Sequence, residues 1–326
     1  MKKYLALDTG GTKVQAILYN EKFEPLRIAR TGSLRDNTTS AELIERNLSD
    51  IVEKLELKKG DVLERVSGTM EGSLHRRIAG ICEIKRFAGL GELEAGLHAA
   101  VIFGDGLLTL SGTGATVFAK YDGNSYCGGG YGAAVSDAGG GYWMGREAMN
   151  AAIADYEERG EPTLLTELVC RHFARPTLPE AIFSIYGQNA KSPAACVASC
   201  APLVTIAAET GDGDPVALDL LRRTGKILGE QMVSLIKRNS LPDSLPLTIS
   251  GSVWRGHRLI FDSFVDVIRN QCLSRQIVIP PFEPIIGIML HHWLEVYGKF
   301  DDAGRERFNS LYGDFTFDIH KPKIYK

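Results

Sequence analysis

Two short segments repeat one plan at separate places in the chain. Residues 4–20 read "YLALDTGGTKVQAILYN" and residues 107–122 read "LLTLSGTGATVFAKYD". In each segment an apolar run is followed by a turn of glycine and threonine and then by alternating apolar positions, which is the pattern of a β-hairpin. A second hairpin of this kind about a hundred residues after the first is a weak internal duplication. It predicts a fold built from two related halves.

Length and composition allow two domains of ordinary size and exclude several classes of protein. The 326 residues carry a net charge of −3, and 44% of them are hydrophobic. This charge argues against nucleic acid or an anionic membrane as the main partner, and no apolar run reaches the ~18 residues of a membrane helix. The N-terminus is interpreted as a first strand and not as a signal peptide. Six scattered cysteines without a CxxC pair are expected to be reduced in a cytoplasm.

Several helices are predicted from apolar periodicity and from capping residues. Residues 39–57 show helical spacing, with Thr39 and Glu42 as a capping box. A helix is expected to start near Glu92, and another over 214–239 opens with an Asp-Pro pair. The remaining predicted elements are a strand over 245–254, a helix over about 257–273, a strand over 276–280 and a helix from residue 284.

Three glycine-rich turns follow apolar strands, and they are the candidate phosphate-binding residues. Backbone amides of such turns converge on one point, where a phosphate is the usual guest. Each turn alone is weak evidence, because most glycine-rich hairpin turns are only turns. There is no GxxxxGK[ST] motif, and "GTGATV" is followed by a strand-like segment, so P-loop and Rossmann folds are excluded. The turns consist of Gly10, Gly11 and Thr12, of Gly112, Thr113 and Gly114, and of Gly251 and Ser252.

One segment, 128–145, holds eight glycines among eighteen residues, with Asp137 near its middle. Such a run costs stability because glycine loses more backbone freedom on folding than any other residue. It is therefore interpreted as a binding loop that comes close to a small molecule. A flexible linker is one alternative, and a purely capping role for Asp137 at a helix that begins near Gly139 is another.

These segments and "ISGSVW" occur in the order seen in N-acetylglucosamine kinases. Residues 3 to about 298 resemble the BadF/BadG/BcrA/BcrD-type ATPase family, within the superfamily of sugar kinases, actin and Hsp70. The resemblance implies an α/β fold with two actin-like (ribonuclease H-like) domains, each a mixed sheet flanked by helices, with a cleft between them. The expected boundaries are an N-terminal domain over 1–105, a C-terminal domain over 106–299 with a helical insertion, a last helix over 284–298 that returns to the N-terminal domain, and a tail over 300–326.

The resemblance also implies which residues bind ATP and magnesium. The turn at Gly10–Thr12 becomes the first phosphate loop, and the turn at Gly112–Gly114 becomes the second. Gly251 and Ser252 are placed beside the adenosine. Asp8 is expected near Mg2+, which it contacts through water.

Sugar-binding residues follow from the same resemblance. The backbone of Gly129 and Gly130 is expected to approach the sugar, and Asp137 to accept hydrogen bonds from its hydroxyls. Asn37 stands where such kinases carry a sugar-binding asparagine. An ordinary turn residue is the alternative for Asn37.

The catalytic base departs from the pattern of the resembled family. Those kinases carry an aspartate at the start of the helix before the second phosphate loop, and here the corresponding stretch reads "GLGELEAGLHAAV". Glu92 is the best match, with Glu94 as second choice. Glutamate can act as a base but reaches one methylene further. A solvated first-turn glutamate, favoured by the helix dipole, is the competing interpretation.

The sequence therefore predicts an ATP-dependent kinase for a sugar hydroxyl, with an amino sugar such as N-acetylglucosamine as substrate. A small-molecule sugar is the expected partner, without nucleic acid or membrane, and the chain is expected to be a cytoplasmic homodimer. One alternative is an ATPase activator of a radical dehydratase or reductase, which holds an iron–sulfur cluster. Another is a sugar or nucleotide sensor without catalytic activity.

Overall fold

The computed structural model describes residues 1–36, 39–69, 72–133, 135, 137–186, 193–271 and 275–319. The strands in this part of the chain are β1 (Lys3–Thr9), β2 (Lys13–Asn20), β3 (Pro25–Gly32), β4 (Val62–Gly68), β5 (Glu83–Ile84), β6 (Phe87–Gly89), β7 (Gly106–Ser111), β8 (Ala115–Tyr121), β9 (Asn124–Gly129), β10 (Leu247–Ser250) and β11 (Ile277–Val278).

The helices comprise α-helices and two short 3-10 turns. The α-helices are α1 (Ala41–Leu55), α2 (Gly72–Ala79), α3 (Glu92–Ala99), α4 (Gly141–Tyr156), α5 (Leu165–His172), α6 (Leu178–Ser184), α7 (Pro193–Ala198), α8 (Ala201–Glu209), α9 (Pro215–Arg238), α10 (Arg258–Gln271), α11 (Pro284–Tyr297) and α12 (Asp302–Leu311). The 3-10 turns are Val253–Arg255 and Gly313–Phe315. Among the helices of the described ranges, none is both long and apolar enough to cross a bilayer.

The chain divides into two compact units that share one sheet plan. Among the described residues, the first unit comprises those of 1–103 and 279–317, and the second comprises those of 104–278 and 318–319. Their sheets have the strand orders β3–β2–β1–β4–β5, with β6 also on β4, and β9–β8–β7–β10–β11. In both, three antiparallel strands are followed by parallel ones. The corresponding strand order agrees with the duplication that the two hairpins predict, and the mixed sheets with flanking helices confirm the predicted α/β class.

The first sheet is covered by helices on both faces. Leu5 and Leu7 of β1 pack in one apolar cluster with side chains of α1 and α2. Ala6, between them, packs in a second cluster with side chains of α11 and α12. This alternation follows from the two-residue period of a strand. Because both faces are buried, β1 and β2 read as nearly continuous apolar runs.

Helix α3 and helix α11 of the first unit approach each other closely. A Cβ atom on Gly287 of α11 would overlap the carbonyl oxygen of Ala95 and would lie 2.7 Å from the backbone nitrogen of Ala99. Only glycine permits this approach. The position of α3, which begins at Glu92, is therefore set by a helix far away in the sequence.

The second unit is built around α9, whose start agrees with the sequence prediction. The side chain of Asp214 accepts a hydrogen bond from the Ala217 amide at 2.9 Å, and Pro215 is the first helical residue. Gly225 lets α9 approach the Ile260 carbonyl of α10. The other side of α9 packs on β8 and β9.

Two parts of the first unit differ from the prediction. Helix α1 is capped by Ser40, whose hydroxyl accepts from the Leu43 amide at 3.4 Å, so the prediction of Thr39 as the cap is wrong. The segment after residue 300, predicted to be a tail, contains α12. Phe308, Tyr312 and Phe315 bury their rings against the core. Their spacing of four and three residues is a helical signal that the high polarity of the segment concealed.

The turn after β10 requires glycine for a structural reason. Gly251 has a φ of +106°, and a Cβ atom there would overlap the carbonyl oxygen of Ser111. The glycine thus lets the end of β10 lie against the end of its neighbour β7. Gly112, in the turn that follows β7, has open space at its Cβ position.

We expect Gly251→Ala to lower the free energy of unfolding by about 3 kcal/mol or more, because it combines an unfavourable φ with backbone overlap. Gly112→Ala is the matched control and should change it by no more than about 1 kcal/mol. Urea denaturation followed by circular dichroism measures both. Equal losses in the two variants would contradict this account of Gly251.

Candidate active site

The first glycine turn joins β1 to β2, beside charged side chains of the first unit. The amide of Gly10 donates to the carbonyl of Lys13 at 2.8 Å, which closes the turn. Asp8, just before the end of β1, lies opposite Gln15 in the β1–β2 register. Opposite residues of an antiparallel pair place their side chains on the same face of the sheet. Asp8 and Gln15 therefore share the face that α11 covers.

Asp8 lies in an environment that disfavours its charged form. Burial, first, and the negative charge of Glu92, second, raise the pKa of Asp8 to about 7, and Glu283 raises it further. Lys13 and Arg35 act in the opposite direction. A carboxyl group with such a pKa ionises readily when a cation binds beside it.

Glu92 is the first residue of α3, where the sequence predicts the base. Burial raises the pKa of Glu92, while Arg35 lowers it. The Nη2 atom of Arg35 lies 3.7 Å from Oε2 of Glu92 and donates to the carbonyl of Thr9 at 3.2 Å. Arg35 therefore connects the end of β1 to the candidate base. The Glu92 side chain is still 38% exposed, so a substrate can reach it.

A buried polar pair on the same face was missed by the sequence analysis. The side-chain nitrogen of Gln15 donates to Oε2 of Glu283 at 3.2 Å, and both residues are about 1% exposed. The side-chain oxygen of Gln15 is buried and has no hydrogen-bond partner among the described residues. A glutamine within an apolar strand and a glutamate before Pro284 were the available signals. The 268 residues between them hid the contact.

The oxygen atoms on this face suit Mg2+. Magnesium in kinase sites binds one or two carboxylates and otherwise water and phosphate oxygens. Asp8 offers a carboxylate, and Gln15 offers a buried oxygen that lacks a donor. Within the described ranges no three His, Cys, Asp or Glu side chains form a metal-binding group.

The second glycine turn joins β7 to β8 and lies against the start of α4. The amides of Gly141 and Tyr142 donate to the carbonyls of Gly112 and Thr113 at 2.7 and 2.9 Å. A Cβ atom on Gly140 would lie 2.6 Å from the carbonyl carbon of Gly114. Part of the glycine-rich segment thus packs on the turn itself.

Asp137 lies beside this second turn. Its Oδ1 accepts from the Gly132 amide at 3.2 Å, and its Oδ2 lies 2.5 Å from the position that a Cβ atom would take on Gly114. Burial raises the pKa of Asp137. Helix α4 begins after Gly140 and receives no side-chain cap, so the capping role considered for Asp137 is not observed.

Gly129 and Gly130 have a structural need for glycine. Their φ angles are +73° and +69°. A Cβ atom on Gly130 would overlap the hydroxyl of Thr116 on β8, and one on Gly129 would lie 3.2 Å from the carbonyl oxygen of Ala115. These close contacts within the second unit explain why both positions are glycine. An approach of their backbone to a sugar stays a prediction.

Four further residues belong to the predicted site. Ser252 precedes the 3-10 turn Val253–Arg255, directly after Gly251. Asn37 lies outside the described residues. Gly11 and Thr12 lie between β1 and β2, as predicted.

Comparison with known proteins identifies the family. The sequence profile of the BadF/BadG/BcrA/BcrD ATPase family matches residues 5–291. An N-acetylmuramic acid/N-acetylglucosamine kinase from Clostridium acetobutylicum is 23% identical over 277 residues, which cover 81% of this chain and 89% of the relative.

Two solved structures share the fold. A candidate N-acetylglucosamine kinase from Chromobacterium violaceum is 22% identical, with a TM-score of 0.63 over 89% of this chain and 99% of that one. A second candidate N-acetylglucosamine kinase, from Porphyromonas gingivalis, is 19% identical, with a TM-score of 0.66 over 90% and 99%. The resemblance predicted from the glycine motifs is confirmed, and the chain belongs to the BadF/BadG/BcrA/BcrD ATPase family.

Proposed function

We propose that this protein is an ATP-dependent kinase that phosphorylates a hydroxyl group of an amino sugar of the N-acetylglucosamine type. Membership of an ATPase family implies that ATP is its nucleotide. The observation that carries the proposal is Glu92, a reachable carboxylate with a raised pKa at the start of α3. The kinase from Clostridium acetobutylicum, similar over most of both chains, supports the choice of sugar.

We assign the phosphates of ATP to the two corresponding turns. The turn at Gly10–Thr12 and the turn at Gly112–Gly114 follow the first strands of sheets with the same order. Open space at the Cβ position of Gly112 leaves room for a phosphate. Gly251 and Ser252 are proposed to lie beside the adenosine.

Magnesium would be held by Asp8, through water, with Gln15 as a further oxygen ligand. Such an ion neutralises charge on the transferring phosphate. Glu283 would keep the Gln15 side chain oriented, because its carboxylate accepts a hydrogen bond from the side-chain nitrogen of Gln15.

Glu92 is proposed to take the proton of the sugar hydroxyl. The hydroxyl oxygen then forms its bond to the γ-phosphorus, the bond to the bridging oxygen breaks, and ADP leaves. Phosphoryl transfer requires little more from a protein than positioning, charge stabilisation and this proton transfer. Asp137 is proposed to accept hydrogen bonds from other hydroxyls, near the backbone of Gly129 and Gly130. Asn37 stays a predicted sugar ligand.

The competing functions make different predictions. An activator with an iron–sulfur cluster needs cysteine ligands, and of the five described cysteines, all free, only Cys127 is exposed. A sensor would bind sugar or nucleotide without turnover. The homodimer and the cytoplasmic location stay predictions, and sedimentation analysis tests the first.

The decisive experiment measures ADP release from Mg-ATP over a panel of amino sugars and hexoses. We expect release that depends on an N-acetylated amino sugar. Gly112→Val should abolish it by filling the space assigned to phosphate, while its stability stays close to that of the parent. Sugar binding in calorimetry without ADP release would refute the kinase and favour the sensor.

Glu92→Gln should lower kcat by about 10²- to 10⁴-fold, because the amide keeps the shape of the side chain but accepts no proton. ATP affinity should stay unchanged. Glu94→Gln, in the same turn of α3, is the matched control and should keep most of the activity. Steady-state kinetics with the preferred sugar measures all three proteins.

Glu92→Asp tests whether the longer side chain fits its site. If the site is shaped for glutamate, turnover by Glu92→Asp should be slower than by the parent. The shorter side chain would misplace the carboxylate, and a misplacement of ~1 Å can lower the rate by about 100-fold. Turnover of Glu92→Gln at the parental rate, or a larger loss in Glu94→Gln, would overturn the assignment of the base.

The pH profile should report on the pair of Arg35 and Glu92. A base must be ionised, so kcat/KM falls as the pH drops through the raised pKa of Glu92. Arg35→Gln removes the opposing cation, raises this pKa further and should move the acid limb to higher pH. Saturating Mg2+ is needed because a bound cation lowers the pKa of Asp8.

Arg35→Lys is the control for this shift. Lysine keeps the positive charge, so the acid limb should move less than in Arg35→Gln. An acid limb at the same pH in the parent and in Arg35→Gln would contradict the proposed effect of Arg35 on the base.

A further inference from the structure

The carboxylate of Asp137 lies directly against the second glycine turn. Its Oδ2 is 2.5 Å, and its Cγ is 2.9 Å, from the position of a Cβ atom on Gly114. A glycine at this point of the turn is what allows the contact. One side chain of the glycine-rich segment is therefore in touch with the turn to which we assign a phosphate.

The carboxylate of Asp137 has few stabilising contacts among the described residues. In the portion of the chain with described structure, no lysine or arginine forms an ion pair with it. Its hydrogen-bond donor there is the amide of Gly132, at 3.2 Å. Burial raises the pKa of Asp137, and the hydrogen bond from the Gly132 amide lowers it. The turn thus faces an anion that is only weakly stabilised.

We propose that Asp137 couples nucleotide binding to sugar binding: its charge beside Gly114 opposes a phosphate at the second turn until sugar hydroxyls donate hydrogen bonds to it. Two like charges at short range repel, and partial burial reduces screening by solvent. Hydroxyl donors on the carboxylate offset part of that charge. The inference rests on the proposed function, since it takes the turn as a phosphate site and Asp137 as a sugar ligand.

Coupling of this kind has a consequence for both ligands. A ligand that favours binding of a second ligand is itself bound more tightly when the second is present, by the same factor. ATP would therefore bind weakly to the sugar-free protein, where water could otherwise accept its γ-phosphate. Bound sugar would raise the affinity of the protein for ATP.

The first test measures the affinity of the sugar-free protein for a non-hydrolysable ATP analogue with Mg2+, by calorimetry. Asp137→Asn keeps an acceptor for the Gly132 amide but removes the charge, so we expect it to bind the analogue about threefold to tenfold more tightly. Asp122→Asn is the matched control. It removes one negative charge from an exposed position in the β8–β9 turn and should leave the affinity unchanged.

The second test measures the same affinity with the preferred sugar at saturation. In the parent we expect the sugar to raise the affinity for the analogue by about tenfold, and in Asp137→Asn by less than about twofold. Asp137→Ala, which removes the charge together with the acceptor, should also bind the analogue more tightly without sugar. Urea denaturation verifies that each variant is folded.

Unchanged or weaker binding of the analogue by both Asp137 variants, with the parental stability retained, would overturn the inference. So would an equal gain in Asp122→Asn, because it would reflect net charge and not position. These outcomes are distinct from failure of the proposed function, which shows as the absence of sugar-dependent ADP release by the parent.

Discussion

Hydrogen bonds between the start of α4 and the second glycine turn determine the candidate site of the second unit. The first amides of a helix have no partners within the helix, and here two of them bind the carbonyls of Gly112 and Thr113. With these oxygens turned towards the helix, the turn presents less negative charge to an anion. Glycine is required at position 140 because a Cβ atom there would overlap the backbone of the turn.

The two units share one sheet order but differ in the chemistry of their turns. Beside the turn of the first unit lie ionisable groups, with Asp8, Glu92 and Arg35 influencing one another. The turn of the second unit is formed by glycine, threonine and backbone contacts, with Asp137 as its acidic neighbour. In the proposed kinase, the first unit would supply the base and the magnesium ligand. The second unit would contact the ligands mainly through its backbone.

The sequence predicts what depends on local pattern. Both hairpins and the start of α9 follow from periodicity and capping chemistry, and the helix expected to start near Glu92 begins at that residue. The pairing of Gln15 with Glu283 does not, because nothing in either neighbourhood reveals a partner 268 residues away. The contact of Asp137 with Gly114 was likewise hidden, since it depends on how two loops fold against each other. At α1, Ser40 and Thr39 are both suitable caps, and only the geometry distinguishes them.

The close approach of α11 to α3 at Gly287 affects how the chain can fold during synthesis. Residues 104–278 of the second unit are complete in sequence before α11 has been made. The strands of the first unit are synthesised first. One face of their sheet stays exposed until α11 and α12, which pack on it, have been made. Domains generally fold as units, beginning with the N-terminal one, during synthesis. Here the later half of the sequence can finish folding first, while the earlier half keeps an apolar sheet face uncovered and available to chaperones.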